Sequence, residues 1–311
     1  YINFPLPIAT GARPLLLDSH AEAEDMADWQ LGEIEVTSIL EQVAEFMTLE
    51  EFFDGFTPEM FEANKDWLLP NVVSPTSGKI ILPIQSYLVR TRHHTILIDT
   101  CVGCHKKFKW VPEWNDRRDD TYLRNLKAAG VDPAEIDYVF CTHLHVDHCG
   151  WNTQLEDGRF VPTFPNAKYI FSEPEYAAAA ETNSIVFRES VLPVMEAKQA
   201  ELVAMDFALD DNISLSPTPG HTAGHVAVEM ASNGVLGAMS GDLMHSPLQC
   251  LYPALCPTVD LDPAMASATR QKFLEDHADR DKIVMTAHFP LPSVGRVVSQ
   301  GDAFRFDYLE K

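Results

Sequence analysis

One run of six residues, 143–148, constrains the fold of this chain more than any other feature. Its sequence, His-Leu-His-Val-Asp-His, carries four side chains that can bind a metal, and it follows a short apolar run at residues 138–140. Imidazole and carboxylate are the ligands that zinc and related divalent ions take from proteins. A strand that ends in a tight loop can aim alternate side chains at one point. The run therefore predicts a metal site with the ligands His143, His145, Asp147 and His148.

Three further candidates lie downstream, each where an apolar run gives way to a loop. They are His221 after a sharp Pro-Gly turn, Asp242 after the run near residue 238, and His288 at the end of the run from residue 282. Asp99 stands in the same position after the earlier run Ile-Leu-Ile. Layered α/β proteins collect their chemistry at such strand ends. His221, Asp242 and His288 are therefore predicted to join the site, whereas an aspartate at a strand end, such as Asp99, also caps turns.

These motifs, in this order, resemble those of the metallo-β-lactamase superfamily of metallohydrolases over residues 79–290, which is most of the chain. A single short motif is weak evidence, but the ordered set is specific. The resemblance implies an α/β fold, a four-layer αββα sandwich, that holds two divalent metal ions. Zn²⁺ is the first expectation, and Fe, Mn and Co are the alternatives.

The resemblance also implies how the ligands divide between the two ions. One ion takes His143, His145 and His221. The second ion takes Asp147, His148 and His288. Asp242 bridges the two ions, and Asp99 orients a ligand histidine by accepting its other N–H. The alternative for each residue is an ordinary core or surface side chain.

Residue types at two positions reduce the number of superfamily branches that the chain resembles. His145 stands where the oxygen-reducing di-iron branch usually carries Glu, and Asp242 stands where true zinc β-lactamases usually carry Cys or Ser. Asp242 instead resembles the lactonase, glyoxalase II, phosphodiesterase and organophosphate hydrolase branches. Acyl-homoserine lactonases place a Tyr three residues after the bridging Asp, where this chain has His245, an arrangement similar to the methyl parathion hydrolase branch and nearby lactonase-like relatives. His245 is predicted to replace the Tyr as a hydrogen-bond donor, with simple packing near the metals as the alternative.

The resulting hypothesis is a metal-dependent hydrolase of lactones, such as N-acyl homoserine lactones, or of similar esters, which acts through a hydroxide that bridges the metals. Asp147 or Asp242 would hydrogen-bond the hydroxide or pass a proton to the leaving group. The first alternative is an organophosphate triester or aryl ester hydrolase. A glyoxalase II-type thioesterase and a β-lactamase rank below it. Outside enzymes, the alternatives are a metal-binding sensor and an inactive scaffold.

Composition narrows the partners and the location. The formal net charge of −23 repels phosphate backbones and argues against nucleic acid. No stretch reaches the roughly 18 to 20 apolar residues that cross a bilayer, so we expect no membrane partner and a small-molecule substrate. Six cysteines in 311 residues do not suggest a disulfide scaffold, and Cys101 and Cys104 are predicted to be free thiols. Reduced thiols fit a cytoplasmic location, with a leader removed before Tyr1 as the alternative.

The chain divides into two predicted parts. Residues 1–32 are Pro-rich and then acidic, which indicates an extended arm that lies on the partner of a homodimer or folds back on its own subunit. Residues 33–311 are predicted to form a single catalytic domain. Apolar residues at helical spacings indicate helices within residues 33–69, and residues 79–100 indicate a β-hairpin. Further helices are predicted at residues 121–129 and 263–280, the latter with Asp and Pro as start signals.

Four aromatic residues are candidates for the wall of a substrate pocket. Trp110 and Trp114 lie in a loop, residues 101–119, that is rich in Lys, Arg and Trp and follows Asp99. Trp151 follows the Cys-Gly pair after the metal run, and Phe289 follows the last ligand. Loops near a site often form its rim. Packing elsewhere in the protein is the alternative for each of the four.

Overall fold

The structure is a computed structural model, and it describes residues 28–310. In chain order the strands are β1 (Asp28–Leu31), β2 (Ile34–Thr48), β3 (Phe53–Asp54), β4 (Lys79–Arg90), β5 (Thr95–Ile98), β6 (Tyr138–Phe140), β7 (Thr153–Glu156), β8 (Arg159–Pro162), β9 (Lys168–Ser172), β10 (Ala200–Val203), β11 (Ile213–Pro217), β12 (Val226–Ser232), β13 (Val235–Met239), β14 (Cys256–Pro257), β15 (Lys282–Met285), β16 (Val294–Gln300) and β17 (Ala303–Tyr308). The α-helices are α1 (Leu49–Phe52), α2 (Pro58–Leu68), α3 (Thr121–Ala128), α4 (Glu173–Thr182), α5 (Leu192–Glu196), α6 (Leu248–Leu251) and α7 (Pro263–His277). A π-helical segment, Phe187–Val191, directly precedes α5.

Two large sheets form the centre of the fold. Strands of the first sheet pair in the order β1-β2-β4-β5-β6-β9-β10, and those of the second in the order β11-β12-β13-β15-β16-β17. In the first sheet β5, β6, β9 and β10 are parallel, and in the second β13 is parallel to β15. The carboxyl ends of parallel neighbours meet at one edge of a sheet, so the loops that follow them lie side by side.

Three hydrophobic clusters separate the fold into four layers. The first cluster contains Leu97 of β5 together with side chains of α1, α2 and α3. The second contains Ile98 of β5 together with Met285 of β15, and therefore lies between the sheets. The third contains Val284 of β15 together with Leu274 of α7. Because successive side chains of a strand point to opposite faces, each sheet is covered on both faces, which confirms the predicted αββα sandwich.

The helical spacing expected across residues 33–69 is found only in its second half. Residues 34–48 form β2, whereas α1 starts at Leu49 and α2 starts at Pro58. The prediction of a helix before residue 49 is therefore wrong. The cause is that β2 is buried on both faces over much of its length, so its apolar residues do not alternate with polar ones. A β-bulge between Leu40 and Gln42 also shifts the register of β2 against β4.

Other local predictions are confirmed. The hairpin within residues 79–100 is formed by β4 and β5, which pair antiparallel, and the helix near residues 121–129 is α3. The start signals of α7 act as expected, because the Asp262 side chain accepts a hydrogen bond from the Met265 backbone N–H at 3.0 Å. This helix ends at His277, three residues earlier than predicted. Cys101 and Cys104 are free and buried.

The last residues of the predicted N-terminal arm belong to the first sheet. β1 pairs antiparallel with β2, with Leu31 opposite Ile34. Gly32 in the turn has a φ of 61°, and a Cβ there would lie 2.3 Å from the Ser232 carbonyl oxygen, so this turn requires glycine. Residues 1–27 of the arm lie outside the described residues. Within residues 28–310, no helix combines the length and the apolar character needed to cross a membrane.

Lys106 is a fully buried lysine in the loop that follows β5. Its Nζ donates hydrogen bonds to the Thr153 hydroxyl and, at 2.8 Å, to the Glu189 carbonyl oxygen. The same atom lies 3.9 Å from the centre of the Phe160 ring. Burial lowers the pKa of Lys106 to about 7. These contacts tie the loop to β7, β8 and the π-helical segment.

We expect Lys106 to make the free energy of unfolding depend on pH. Its pKa is about 7 in the folded chain and ordinarily 10.5, so between these values the unfolded state binds more protons than the folded state. Stability from this group is therefore lowest below pH 7 and rises with pH across that window. From pH 7 to pH 9, urea unfolding should show the wild type gaining about 2 kcal/mol relative to Lys106→Met. An equal change in both proteins would contradict this role.

Candidate metal centre

The structure brings the predicted ligands together at one edge of the two sheets. Residues 143–148 follow β6, and Asp99 follows its parallel neighbour β5. From the second sheet, His221 comes after β11, Asp242 after β13 and His288 after β15. These last three side chains and Asp99 are all buried. The fold thus converts five separate strand ends into one polar cluster inside the protein.

The ligand atoms form two groups that match the two sets implied by the sequence. The first group consists of His143, His145, His221 and Asp242. The second group consists of Asp147, His148 and His288. Within each group, all ligand atoms lie within 4.8 Å of one another. Asp242 and His288 also form such a group with His245, so Asp242 has close neighbours on both sides.

The two carboxylate oxygens of Asp242 face opposite sides of the centre. Oδ1 lies 3.1 Å from Nε2 of His148 and 3.0 Å from Nε2 of His288. Oδ2 lies 3.4 Å from Nε2 of His221 and 3.5 Å from Nε2 of His143. Asp242 therefore stands between the two groups, where a bridging carboxylate would have to be.

Several ring nitrogens point at one another across the centre. Nδ1 of His145 lies 2.9 Å from Nε2 of His221, and Nε2 of His148 lies 3.3 Å from Nε2 of His288. Nε2 of His143 is buried and has no hydrogen-bond partner within residues 28–310. A buried nitrogen without a hydrogen-bond partner costs free energy, unless a bound cation takes its lone pair. Converging imidazoles with one carboxylate fit zinc and similar divalent ions.

Asp99 holds one of these histidines from outside the centre. Its Oδ2 lies 2.8 Å from Nδ1 of His148. The carboxylate also accepts hydrogen bonds from the Thr142 backbone N–H at 2.8 Å and from the Thr142 hydroxyl at 2.9 Å. Asp99 has a φ of 60°, in the left-handed region that costs energy for residues other than glycine. This strain is retained at the residue whose carboxylate fixes the ring of His148.

Asp260 does the same for His221, and it was not among the residues predicted from the sequence. Its Oδ1 lies 2.7 Å from Nδ1 of His221, and its Oδ2 lies 3.3 Å from a guanidinium nitrogen of the buried Arg270. Burial opposes the charge of Asp260, but His221 and Arg270 outweigh it and lower its pKa. Asp260 follows no apolar run and is 39 positions from His221 in sequence. The one available signal was an aspartate between two apolar residues, Val259 and Leu261.

His225 is a second residue that the sequence analysis did not assign. Its Nε2 accepts a hydrogen bond from the Asp242 backbone N–H at 3.0 Å, and its Nδ1 lies 2.8 Å from the Thr218 hydroxyl. Burial lowers the pKa of His225 to about 3, so the ring stays neutral and can accept this bond. The repeated Gly-His pair of residues 220–225 was the available signal. His225 fixes the backbone that carries the Asp242 carboxylate.

The charges of the centre shift the pKa values of its members. Burial would lower the pKa of His148, but the carboxylates of Asp242 and Asp99 outweigh it and raise that pKa well above its usual value. Burial would raise the pKa of Asp242, but the imidazoles around it, His148 first, hold it well below its usual value. Burial lowers the pKa values of His143 and His145. A cation that binds here competes with protons, so its affinity falls as pH falls.

Comparison with known proteins identifies the family. The sequence pattern of the Metallo-beta-lactamase superfamily matches residues 81–288, more than half of the chain. The chain belongs to this superfamily. An N-acyl homoserine lactonase from Bacillus sp. is 29% identical over 163 residues, which cover 48% of this chain and 59% of that protein. The N-acyl homoserine lactonase AiiA from Bacillus thuringiensis subsp. kurstaki is 28% identical over the same coverage. The chain therefore spans less than two thirds of these relatives.

Solved structures of the superfamily share the same architecture. AbOPH, a hydrolase in the β-lactamase superfamily, superposes with a TM-score of 0.77 at 24% identity, covering 92% of this chain and 98% of its own. AidC, described as a dizinc quorum-quenching lactonase in complex with a product, superposes with a TM-score of 0.74 at 23% identity and the same coverage. At these identities the likeness shows the fold alone.

His245 lies beside Asp242 and His288 in the candidate centre. Its Nε2 is 3.1 Å from Oδ2 of Asp242, and its ring lies nearly parallel to that of His288 with 5.5 Å between the centres. Its backbone N–H donates to the Gln249 side chain at 2.7 Å, which fixes the main chain. Nδ1 is buried and has no hydrogen-bond partner within the described residues. Burial lowers the pKa of His245, which favours a neutral ring.

The aromatic pocket candidates are not equivalent. The Trp151 ring is buried and its Nε1 donates to the Glu41 carboxylate at 2.7 Å. Phe289 is fully buried in the third cluster and packs edge-on against Phe306 at 5.0 Å. Both side chains are therefore occupied by packing in the core instead of forming an open wall. Trp110 is 59% exposed on the surface of its loop.

Trp114 belongs to a row of aromatic rings that ends at the centre. It stacks on Phe46 with 5.6 Å between the ring centres, and Phe46 packs edge-on against Phe52 at 5.9 Å. Phe52 in turn packs edge-on against His245 at 5.3 Å. We refer to Trp114, Phe46, Phe52 and His245 as the aromatic row. The row runs from the loop after β5 to the ring beside Asp242.

Proposed function

We propose that the chain is a dinuclear metal-dependent hydrolase that opens lactones, of the N-acyl homoserine lactone type or similar esters. The observation that carries the proposal is the Asp242 carboxylate, because its two oxygens face the two groups of candidate ligands. The Bacillus lactonases that share 28–29% identity with part of the chain support the choice of a lactone. An inactive scaffold would have no need for two complete ligand groups.

The residues of the centre suit two divalent cations. One ion would be held by His143, His145 and His221. The other would be held by Asp147, His148 and His288. Asp242 would bridge them. Zn²⁺ matches this set of nitrogens and carboxylates. Such a pair supplies Lewis acidity toward the substrate carbonyl and makes a water molecule more acidic.

Asp147 is the residue of the centre best placed to move a proton. Its side chain is 14% exposed, whereas that of Asp242 is 3% exposed. Oδ2 of Asp147 lies 3.6 Å from Nε2 of His288 and 3.8 Å from Nε2 of His148. A carboxylate in this position can take a proton from the attacking water and pass it to the alcohol oxygen released when the ring opens. Asp242, enclosed by imidazoles, instead holds the two ligand groups together.

Two members of the aromatic row, His245 and Phe46, would contact the substrate. The Asp242 carboxylate takes the Nε2–H of the neutral His245 ring, so Nδ1 is left as an acceptor that would receive an N–H of the substrate, such as the amide of an acyl homoserine lactone. Phe46 is partly exposed and would offer apolar surface to an acyl chain, whereas Phe52 and Trp114 are buried and pack behind it. Binding sites for small molecules commonly combine such apolar walls with a few polar groups. This arrangement favours esters with an apolar acyl part.

The proposal is tested by hydrolysis of a matched panel with the zinc-loaded protein. The panel contains homoserine lactones with short and long acyl chains, simple γ- and δ-lactones, aryl esters, a phosphotriester and a penicillin. We expect the highest kcat/KM for a lactone. A preference for the phosphotriester or the aryl esters would assign the chain to the second candidate, an organophosphate or aryl ester hydrolase. Two bound zinc ions without turnover of any lactone would contradict the proposed substrate.

Replacing His245 with phenylalanine should separate substrate binding from metal binding. Phenylalanine keeps a flat ring against His288 but removes both nitrogens. We expect zinc content to stay unchanged and lactone kcat to fall by about tenfold, the scale of one lost hydrogen bond to the substrate. The matched control is His277→Phe, because His277 is buried against Phe273, in the layer of α7. An unchanged kcat in His245→Phe would mean that this ring serves packing alone.

A further inference from the structure

Glu175 is a buried carboxylate with a different backbone N–H on each oxygen. It lies in the first turn of α4 and is 5% exposed. Its Oε1 accepts a hydrogen bond from the Leu144 N–H at 2.9 Å, and its Oε2 accepts one from the Gly224 N–H at 3.0 Å. Leu144 stands between His143 and His145 in the chain. Oε1 of Glu175 therefore forms a hydrogen bond with the backbone that carries two candidate ligands.

Oε2 of Glu175 forms a hydrogen bond with a loop from the other sheet. Gly224 lies in the loop between β11 and β12 that also carries His221, whereas Leu144 lies in the loop after β6 of the first sheet. The separation of these two loops sets the distance between His145 and His221, whose facing nitrogens are 2.9 Å apart. Both hydrogen bonds of Glu175 thus act on the first group of ligands.

Close packing around Gly224 leaves the two loops little freedom. A Cβ at Gly224 would lie 2.2 Å from the backbone nitrogen of Glu175 and 2.5 Å from the Ser172 hydroxyl. That hydroxyl donates to the Gly224 carbonyl oxygen at 2.6 Å and accepts the Glu175 N–H at 3.3 Å. The start of α4 therefore binds the N–H and the carbonyl group of the same glycine.

The second group of ligands has a separate support. Asp99 holds His148 from the end of β5, and its carboxylate also accepts hydrogen bonds from Thr142. A backbone hydrogen bond from Val226 to the Thr142 carbonyl, at 3.0 Å, joins the two loops independently of Glu175. A change at Glu175 should therefore loosen the first group while the fold and the second group persist.

We propose that Glu175 is a positioning residue that sets the geometry of the first metal site by clamping the two ligand loops together. The inference rests on the proposed function, because it takes the first group to be a metal site. A carboxylate is needed because each of its oxygens accepts one N–H. Glutamine offers a single acceptor oxygen and turns its NH₂ group toward the remaining N–H, so Glu175→Gln keeps the size of the side chain and loses the clamp.

The test is a zinc titration of the metal-free full chain in competition with a chromophoric chelator, which resolves the affinities of the two sites. For Glu175→Gln we expect one affinity to match the wild type and the other to fall by about tenfold to a hundredfold, as for other residues that orient metal ligands. The control is Glu173→Gln, which removes the same charge from an exposed position in the same helical turn. A second variant, Gly224→Ala, pushes the loop that carries His221 away from the start of α4 by steric contact and should weaken the same site.

Each outcome decides the inference. Selective loss at one site in Glu175→Gln or in Gly224→Ala, with Glu173→Gln unchanged, supports the clamp. Two zinc affinities within about twofold of the wild type, or an equal loss at both sites, overturns it. A wild-type chain that binds a single zinc ion contradicts the dinuclear proposal, and the clamp is then judged by whether Glu175→Gln weakens that ion more than Glu173→Gln does.

Discussion

Replacing Asp242 with alanine is expected to abolish the dinuclear centre and to lower kcat/KM by about a thousandfold, at the upper end of the effect of one lost electrostatic group in an active site. Its two oxygens face opposite groups, so alanine removes the carboxylate that both groups share. Two cations held by the remaining residues would lose the negative charge between them that offsets their mutual repulsion. We expect less than one zinc ion per chain after dialysis, measured by atomic emission.

The fold should survive this change, and that can be checked directly. The Asp242 backbone N–H still reaches His225 in the alanine variant, because that bond does not use the side chain. The control is Asp281→Ala, whose carboxylate is exposed and pairs with Arg296 at the surface. It should keep the metal content and turnover of the wild type. An Asp242→Ala protein that keeps two zinc ions and full turnover would disprove the bridging role.

The residues that sequence reasoning could locate share a local signature. Asp99, Asp242 and His288 each end an apolar run, and the six-residue run at 143–148 carries its own spacing. Buried strands produce such runs, and the residue at the end of a strand leaves the core at the edge of the sheet. The positions of the candidate ligands were therefore readable without knowing which strands are neighbours. Their grouping around Asp242 was implied by the resemblance to the superfamily, because the local pattern alone does not say which strand ends meet.

The residues that support the ligands had no comparable signature. Asp260, His225 and Glu175 act through bonds to groups that are distant in sequence, such as the Leu144 N–H, 31 positions from Glu175. The packing of α4, of the loop before β12 and of the segment before α7 brings them to the centre. The prediction of a helix over the residues of β2 was wrong for a related reason. Burial on both faces removes the alternation of apolar and polar residues by which a strand is recognised. Tertiary contacts decide these features, and a local pattern does not record them.

Two carboxylates outside the centre give a prediction that distinguishes the two metal sites. Asp260 holds Nδ1 of His221 at 2.7 Å, and Asp99 holds Nδ1 of His148 at 2.8 Å. We expect Asp260→Asn to weaken one zinc ion and Asp99→Asn to weaken the other, each by about tenfold to a hundredfold. An asparagine in either place loses the negative charge that supports a ligand imidazole. Each variant is the control for the other in the same zinc titration.

The paired design also separates positioning from stability. Asp260 receives a guanidinium N–H of Arg270, whose other N–H groups reach the carbonyl oxygens of Leu243, Pro253 and Leu255, so Asp260→Asn leaves that arginine with several partners. A general loss of structure would lower both zinc affinities and the melting temperature together. Selective weakening, with the ion near His221 affected by Asp260 and the ion near His148 affected by Asp99, requires two sites with separate supports. If both variants weakened the same single site, the assignment of two ligand groups would be wrong, because one ion would then depend on both carboxylates.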